Sequence, residues 1–103
     1  MIEHAQKVID YTASCHDVDV FLNDDMRIEA CVFNIMQIGE LAHSHLSDNV
    51  KKSIKTIPWE KIYGLRNRIV HGYASVSMIV IWEIANHDMQ SLVDVINQYL
   101  TQR

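Results

Sequence analysis

One proline and three glycines interrupt 103 residues. A β-sandwich or barrel needs turn residues every eight to twelve positions, and this chain lacks them. Its apolar residues recur instead at spacings of three and four, the mark of amphipathic helices. The expected fold is therefore all-α. A first helix is expected from about Met1 to Ala13, with Ile2, Ala5, Val8, Ile9 and Thr12 on one side. A short one follows over Val18 to Leu22. A long helix opens near Asn23-Asp24-Asp25, where side chains suited to capping meet exposed N–H groups. It runs to about Leu46, with Ile28, Cys31, Val32, Ile35, Ile38, Leu41, Ala42 and Leu46 inward. Gly39 lies inside that pattern. A glycine there weakens a helix, so close approach of a neighbouring helix is its expected use.

Ser47-Asp48 signals another start, giving one or two turns over Asn49 to Ile54. Pro58 is expected in the first turn of the next helix, which carries Trp59, Ile62, Leu65, Ile69 and Val70 and breaks at Gly72. The last helix is expected over Val76 to Leu100. Its core candidates are Ile79, Val80, Trp82, Ile84, Met89, Leu92, Val93, Ile96 and Leu100. Four main helices with short connections favour an up-and-down bundle.

The length suits one domain over residues 1–103. A chain this short buries a limited share of its surface, so a partner subunit would add stability. The longest apolar run, Met78 to Trp82, is far too short to span a bilayer. Cys15 and Cys31 form no Cys-x-x-Cys pair, which fits a reducing cytoplasm. The start, Met1-Ile2-Glu3-His4, lacks the basic residues and apolar run of a signal peptide. The formal net charge is −4. Phosphate neutralisation supplies most nucleic-acid affinity, so RNA binding by this chain must rest on a local basic patch.

The segment from Arg66 to Tyr73 gathers two arginines, an amide, a histidine and a tyrosine beside a helix break. Histidine is the side chain suited to proton transfer near neutral pH, so His71 can move a proton to or from a ribose hydroxyl or leaving oxygen. Arg66 is permanently charged and can grip a phosphate and stabilise its developing charge. Asn67 lies four residues before His71 on the same helix face, where it can orient substrate or imidazole. RNA carries its own nucleophile, the 2′-hydroxyl, so such a site needs no metal and no cofactor. One difficulty stands: positions five apart on a straight helix point about 140° away from each other. Either the helix loosens near Gly72, or a second copy of the segment completes the site across a two-fold dimer. On spacing alone, an Arg and a His near a helix end are more often surface groups.

Arg66, His71 and Tyr73 in this spacing resemble the signature of HEPN-domain toxins, specifically the HepT-like family. The resemblance extends to Ile38-Gly39-Glu40, to Ile57-Pro58-Trp59 with Gly64-Leu65-Arg66-Asn67 and His71-Gly72-Tyr73, and to Ile81-Trp82-Glu83-Ile84. It implies a HEPN-like helical bundle and a metal-independent endoribonuclease toxin. It implies a homodimer with a shared site, catalytic residues Arg66, His71 and Asn67, and a minimal nucleotidyltransferase antitoxin as partner. That antitoxin would adenylylate Tyr73 from ATP.

Arg68, Lys61 and Lys55, with Lys51 and Lys52, are candidates for a basic groove guiding RNA. Each lysine singly reads better as part of a solvated face, and Arg68 is also a candidate contact for the antitoxin. Glu40 either pairs with an arginine near the site or is exposed. His43 and His45 splay apart on a helix, and His4, His16 and His87 lack ligand spacing, so no zinc site is expected. Tyr63 and Tyr99 have faces suited to nucleobases, though packing with a wet hydroxyl is the stronger expectation. A non-catalytic module docking a nucleotidyltransferase or nucleotide is the main alternative. A metal-dependent four-helix enzyme is disfavoured for want of inward Glu-x-x-His pairs.

Overall fold

A computed structural model describes residues 1–102. The expected single domain reaches one residue, Arg103, beyond them. The helices are α1 (Ile2–Thr12), α2 (Val18–Leu22), α3 (Asp25–Ser44), α4 (Asp48–Ser53), α5 (Trp59–Gly72), α6 (Met78–Glu83) and α7 (Met89–Thr101). Among the described residues there is no strand, as the spacing of apolar residues predicts.

Four helix starts are capped by side chains, Asp24 and Ser47 at expected starts and Asp17 and Ser77 beyond expectation, each satisfying an N–H that has no partner within the helix. Asp17 accepts from the Val20 N–H, Asp24 from Arg27, Ser47 from Val50 and Ser77 from Val80. Pro58 departs from expectation. With φ −80° and ψ 74° it stands just outside α5 as the cap residue, not within the first turn. The long helix ends at Ser44, short of the expected Leu46.

The C-terminal helix departs further. Tyr73–Ser75 forms a 3₁₀ turn, and Val76 is buried but extended, so α6 begins only at Met78. A π-helical turn, Ile84–Asp88, then joins α6 to α7. The buried residues here are Ile81, Ala85 and Met89. A regular helix drifts about 40° over each four-residue step, and a widened turn removes that drift. The expected core positions Ile79 and Val80 lie at the surface instead, as does Leu100. Ile79 and Val80 precede the π turn, which shifts their register against the core residues after it; Leu100 stands in the last turn of α7.

The helix order in space is α7, α1, α3, α5. α3 is gripped on one flank by α1 and on the other by α5, while α7 packs on α1. α2 and α6 lie over one face of this row, with Phe21 and Trp82 ring centroids 5.2 Å apart. The Cα positions span 42 × 29 × 17 Å, so the molecule is thin along one axis. Phe21, Ile38 and Ile81 are among the side chains sealed completely.

Two polar ties fix α1 on α3. Arg27 donates to Asp24 at 3.0 Å, to Ser14 Oγ at 3.2 Å and to the Tyr11 carbonyl in the last turn of α1. That network holds the Asp24 carboxyl below its ordinary range, chiefly through the Arg27 backbone N–H and then its guanidinium. Nearer the middle, His4 Nδ1 meets the buried Asn34 Oδ1 at 2.8 Å. Among the described residues no helix is long and apolar enough to cross a membrane.

Candidate active site at the α3–α5 seam

Gly39 determines how closely α5 approaches α3. A Cβ there would stand 2.5 Å from Arg66 Cβ and 3.1 Å from the Ile62 carbonyl oxygen. The missing side chain thus seats the arginine against the α3 backbone, the use expected for this glycine.

The next residue of α3 then meets the guanidinium. Arg66 Nε lies 2.9 Å from Glu40 Oε2, so Glu40 takes the paired alternative left open by its position. The N–H is not well aimed at that oxygen, and Nε is buried without a well-formed hydrogen bond. This is a Coulombic contact more than a directed bond. At 24% and 40% exposure of the two side chains, such a pair is worth about 0–1 kcal/mol. Its effect is on geometry: Glu40, itself steadied by the Ser44 hydroxyl at 3.1 Å, points the arginine without locking it.

A second contact turns the guanidinium along α5. Arg66 Nη1 donates to Asn67 Oδ1 at 2.9 Å. Asn67 shares a face with His71, four residues on, so the arginine head leans toward the flank that carries the histidine. α5 remains helical to Gly72, where φ −156° and ψ 50° end it. The helix does not loosen before His71, and that route to bringing Arg66 and His71 together is closed. His71 itself is exposed.

The remaining expected residues are dispersed. Arg68 is exposed and donates to the Ser75 carbonyl at 3.0 Å, tying the end of α5 to the turn that follows. Lys61 lines a shallow depression with Lys51, Lys52, Pro58, Trp59 and Glu60 at the other end of α5. Lys55 is exposed but does not line it. Tyr73, 43% exposed, borders a different depression with Asp25, Glu29 and Met78.

One contact beside Arg66, a ring stack, lies outside what the sequence predicts. Tyr63, one turn before Arg66, stacks on His43 with centroids 3.8 Å apart and planes within 8°. The Arg66 guanidinium carbon lies 6.0 Å from the Tyr63 ring centre. The signal was present: His43 falls four residues after Gly39, on the side of α3 that a close-packed helix must face.

The arrangement offers an arginine held by one carboxylate, Glu40, and one neutral amide, Asn67, with an exposed imidazole on the adjoining flank. That combination suits an incoming phosphate. The family described as Ribonuclease HepT-like matches residues 1–99. The chain is 28% identical over 92 residues to a candidate RNase of Methanocaldococcus jannaschii, covering 89% of this chain and 83% of that one. A candidate RNase of Caldanaerobacter subterraneus subsp. tengcongensis is 28% identical over 80 residues, 78% of this chain and 70% of its own. A Thermococcus cleftensis protein named as a ribonuclease HepT is 25% identical over 68 residues, 66% of this chain and 62% of its own. No solved structure gives a significant match. With the glycine seat, the arginine and the family match all lying on one continuous chain, the protein belongs to the HepT-like ribonucleases, enzymes that cleave RNA.

Proposed function

We propose that the chain is the toxin of a toxin–antitoxin pair, acting in the cytoplasm as a metal-independent endoribonuclease whose site is completed by a second copy of the same helical domain. The observation that carries this reading is the held pose of Arg66. Gly39 sets its stem, while Glu40 and Asn67 hold its head at the α3–α5 seam.

Of the two helices that form the seam, α3 exposes Met26 and Phe33, and α5 exposes Val70. Exposed apolar side chains beside a charged site are what a two-fold interface would cover. Because α5 is straight, His71 lies about 140° around the axis from Arg66, and the partner supplies the convergence that one chain lacks. One His71 takes the proton from the ribose 2′-hydroxyl as its oxygen bonds to phosphorus. The other gives a proton to the departing 5′-oxygen as that bond breaks. Arg66 stabilises the charge gathering on the phosphoryl oxygens. Asn67 orients the group beside it, and Arg68, Lys61 and Lys55 guide the strand.

Tyr73 is the residue that a nucleotidyltransferase antitoxin would adenylylate. Its exposure admits a modifying enzyme, and it follows directly on the end of the helix that carries Arg66 and His71. AMP on Tyr73 would bring an anion that competes with RNA phosphate for the cation.

The test is cleavage of RNA by purified protein with a chelator present. Activity is expected to persist in chelator, to fall about 10²–10³-fold in Arg66→Ala and about 10²–10⁴-fold in His71→Ala. Cleavage unchanged in both variants would overturn the assignment. Intact mass after incubation with ATP and the antitoxin tests Tyr73, since a Tyr73→Phe variant that still gains AMP would remove it as the target.

A further inference from the structure

The stacked His43 and Tyr63 rings have no part in the chemistry above, yet they lie beside its cation. The pair is not core: His43 is exposed and Tyr63 half-buried. A ring stacked on one side at 3.8 Å and open on the other presents a free aromatic face. The Arg66 guanidinium lies over the Tyr63 ring, 6.0 Å from its centre. One turn further toward the N-terminal end of α5, about 6 Å of rise from Tyr63, Trp59 lines the depression bearing Lys51, Lys52 and Lys61, with Glu60 also at its rim.

The order along the seam is thus cation, aromatic face, cations. A single RNA strand presents the complement: phosphate, base, phosphate. Bases in a duplex are paired and stacked on each other, whereas an unpaired base can turn out onto a protein ring.

We propose that His43, backed by Tyr63, is the stacking platform for a nucleobase flanking the phosphate held by Arg66, and that the RNA accepted there is single-stranded. The proposal deepens the ribonuclease reading and rests on it. It also gives the seam a direction: the strand leaves Arg66 toward the N-terminal end of α5, where the lysines receive its next phosphates. Imidazole contributes here as a flat ring and not as a proton carrier, so phenylalanine should replace it.

The experiment uses the full chain and short single-stranded RNA in two forms. The first form is 2′-O-methylated throughout, which blocks cleavage, and carries 2-aminopurine at one position at a time. One position, or two adjacent ones, should lose fluorescence on binding, and the loss should vanish with His43→Ala and return with His43→Phe. The second form is cleavable and abasic at the responding position. Wild type should show a KM higher by about tenfold on abasic than on intact RNA with little change in kcat. His43→Ala should show the higher KM on both.

If no position responds in a protein that cleaves RNA, the platform is overturned. The same follows if His43→Ala still distinguishes intact from abasic RNA as wild type does, or if His43→Phe fails to restore the quench. A quench that depends on His43 in a protein without cleavage would instead remove the nuclease reading and leave the platform standing.

Discussion

A methyl group added at Gly39 would have to displace Arg66 Cβ and the backbone oxygen of Ile62. Neither is the far end of a flexible side chain, so the helices must part. Gly39→Ala should cost about 1–3 kcal/mol through overpacking, read as a lower urea midpoint. Any helix-propensity gain is smaller than that. Activity should fall further than stability, because Arg66 rides on the displaced helix. An unchanged midpoint would contradict the close seam. The two thiols give a second test. Burial pushes the Cys31 thiol up to about 11, with Arg27 opposing only in part. Thiolate is then scarce at neutral pH, and Cys31 should alkylate far more slowly than the half-buried Cys15. Equal rates would mean that α1 does not cover α3 as described. At this scale the sequence carried the candidate cation, the glycine and Glu40. It did not carry the ring stack, because the partners lie twenty residues apart and meet only once Gly39 has set the register of α5.

Helices α1, α3 and α5 follow from apolar spacing and from caps, and their inward faces match Ala5, Val8, Ile28, Ile35, Ile38 and Ile69. The C-terminal helix was only partly legible. A period of 3.6 selects Ile79 and Val80, whereas the π turn hands the core to Ile81 and Ala85. Nothing local in the sequence marks a turn that tertiary packing widens. The contrast is measurable. Ile81→Ala should destabilise by about 2–5 kcal/mol as a cavity forms, while Ile79→Ala should change stability by no more than about 0.5 kcal/mol. The reverse order would restore the unbroken helix. At the start of α3, Asp24 has its folded pKa depressed by Arg27. Its contribution is therefore present above its unfolded pKa and lost as pH falls through the folded value. Asp24→Asn keeps a capping side chain but no titrating charge, so melting temperature should depend less on pH in the acid range than in wild type. Identical acid profiles would argue against the Asp24–Arg27 tie.

A molecule only 17 Å through along one axis buries a limited share of its surface, which the proposed second copy would increase. Phe33 and Val70 are exposed on α3 and α5; if the proposed dimer covers them, Phe33→Asp should yield monomers by sedimentation along with lost cleavage. Whether two histidines share one phosphate can be read by titrating wild-type protein with His71→Ala and allowing subunits to exchange. If each site needs both imidazoles, mixed dimers are inactive and activity follows the square of the wild-type fraction, leaving about one quarter at an equal mixture. Activity proportional to the wild-type fraction, about one half at that point, would mean that each chain works alone and would contradict the shared site.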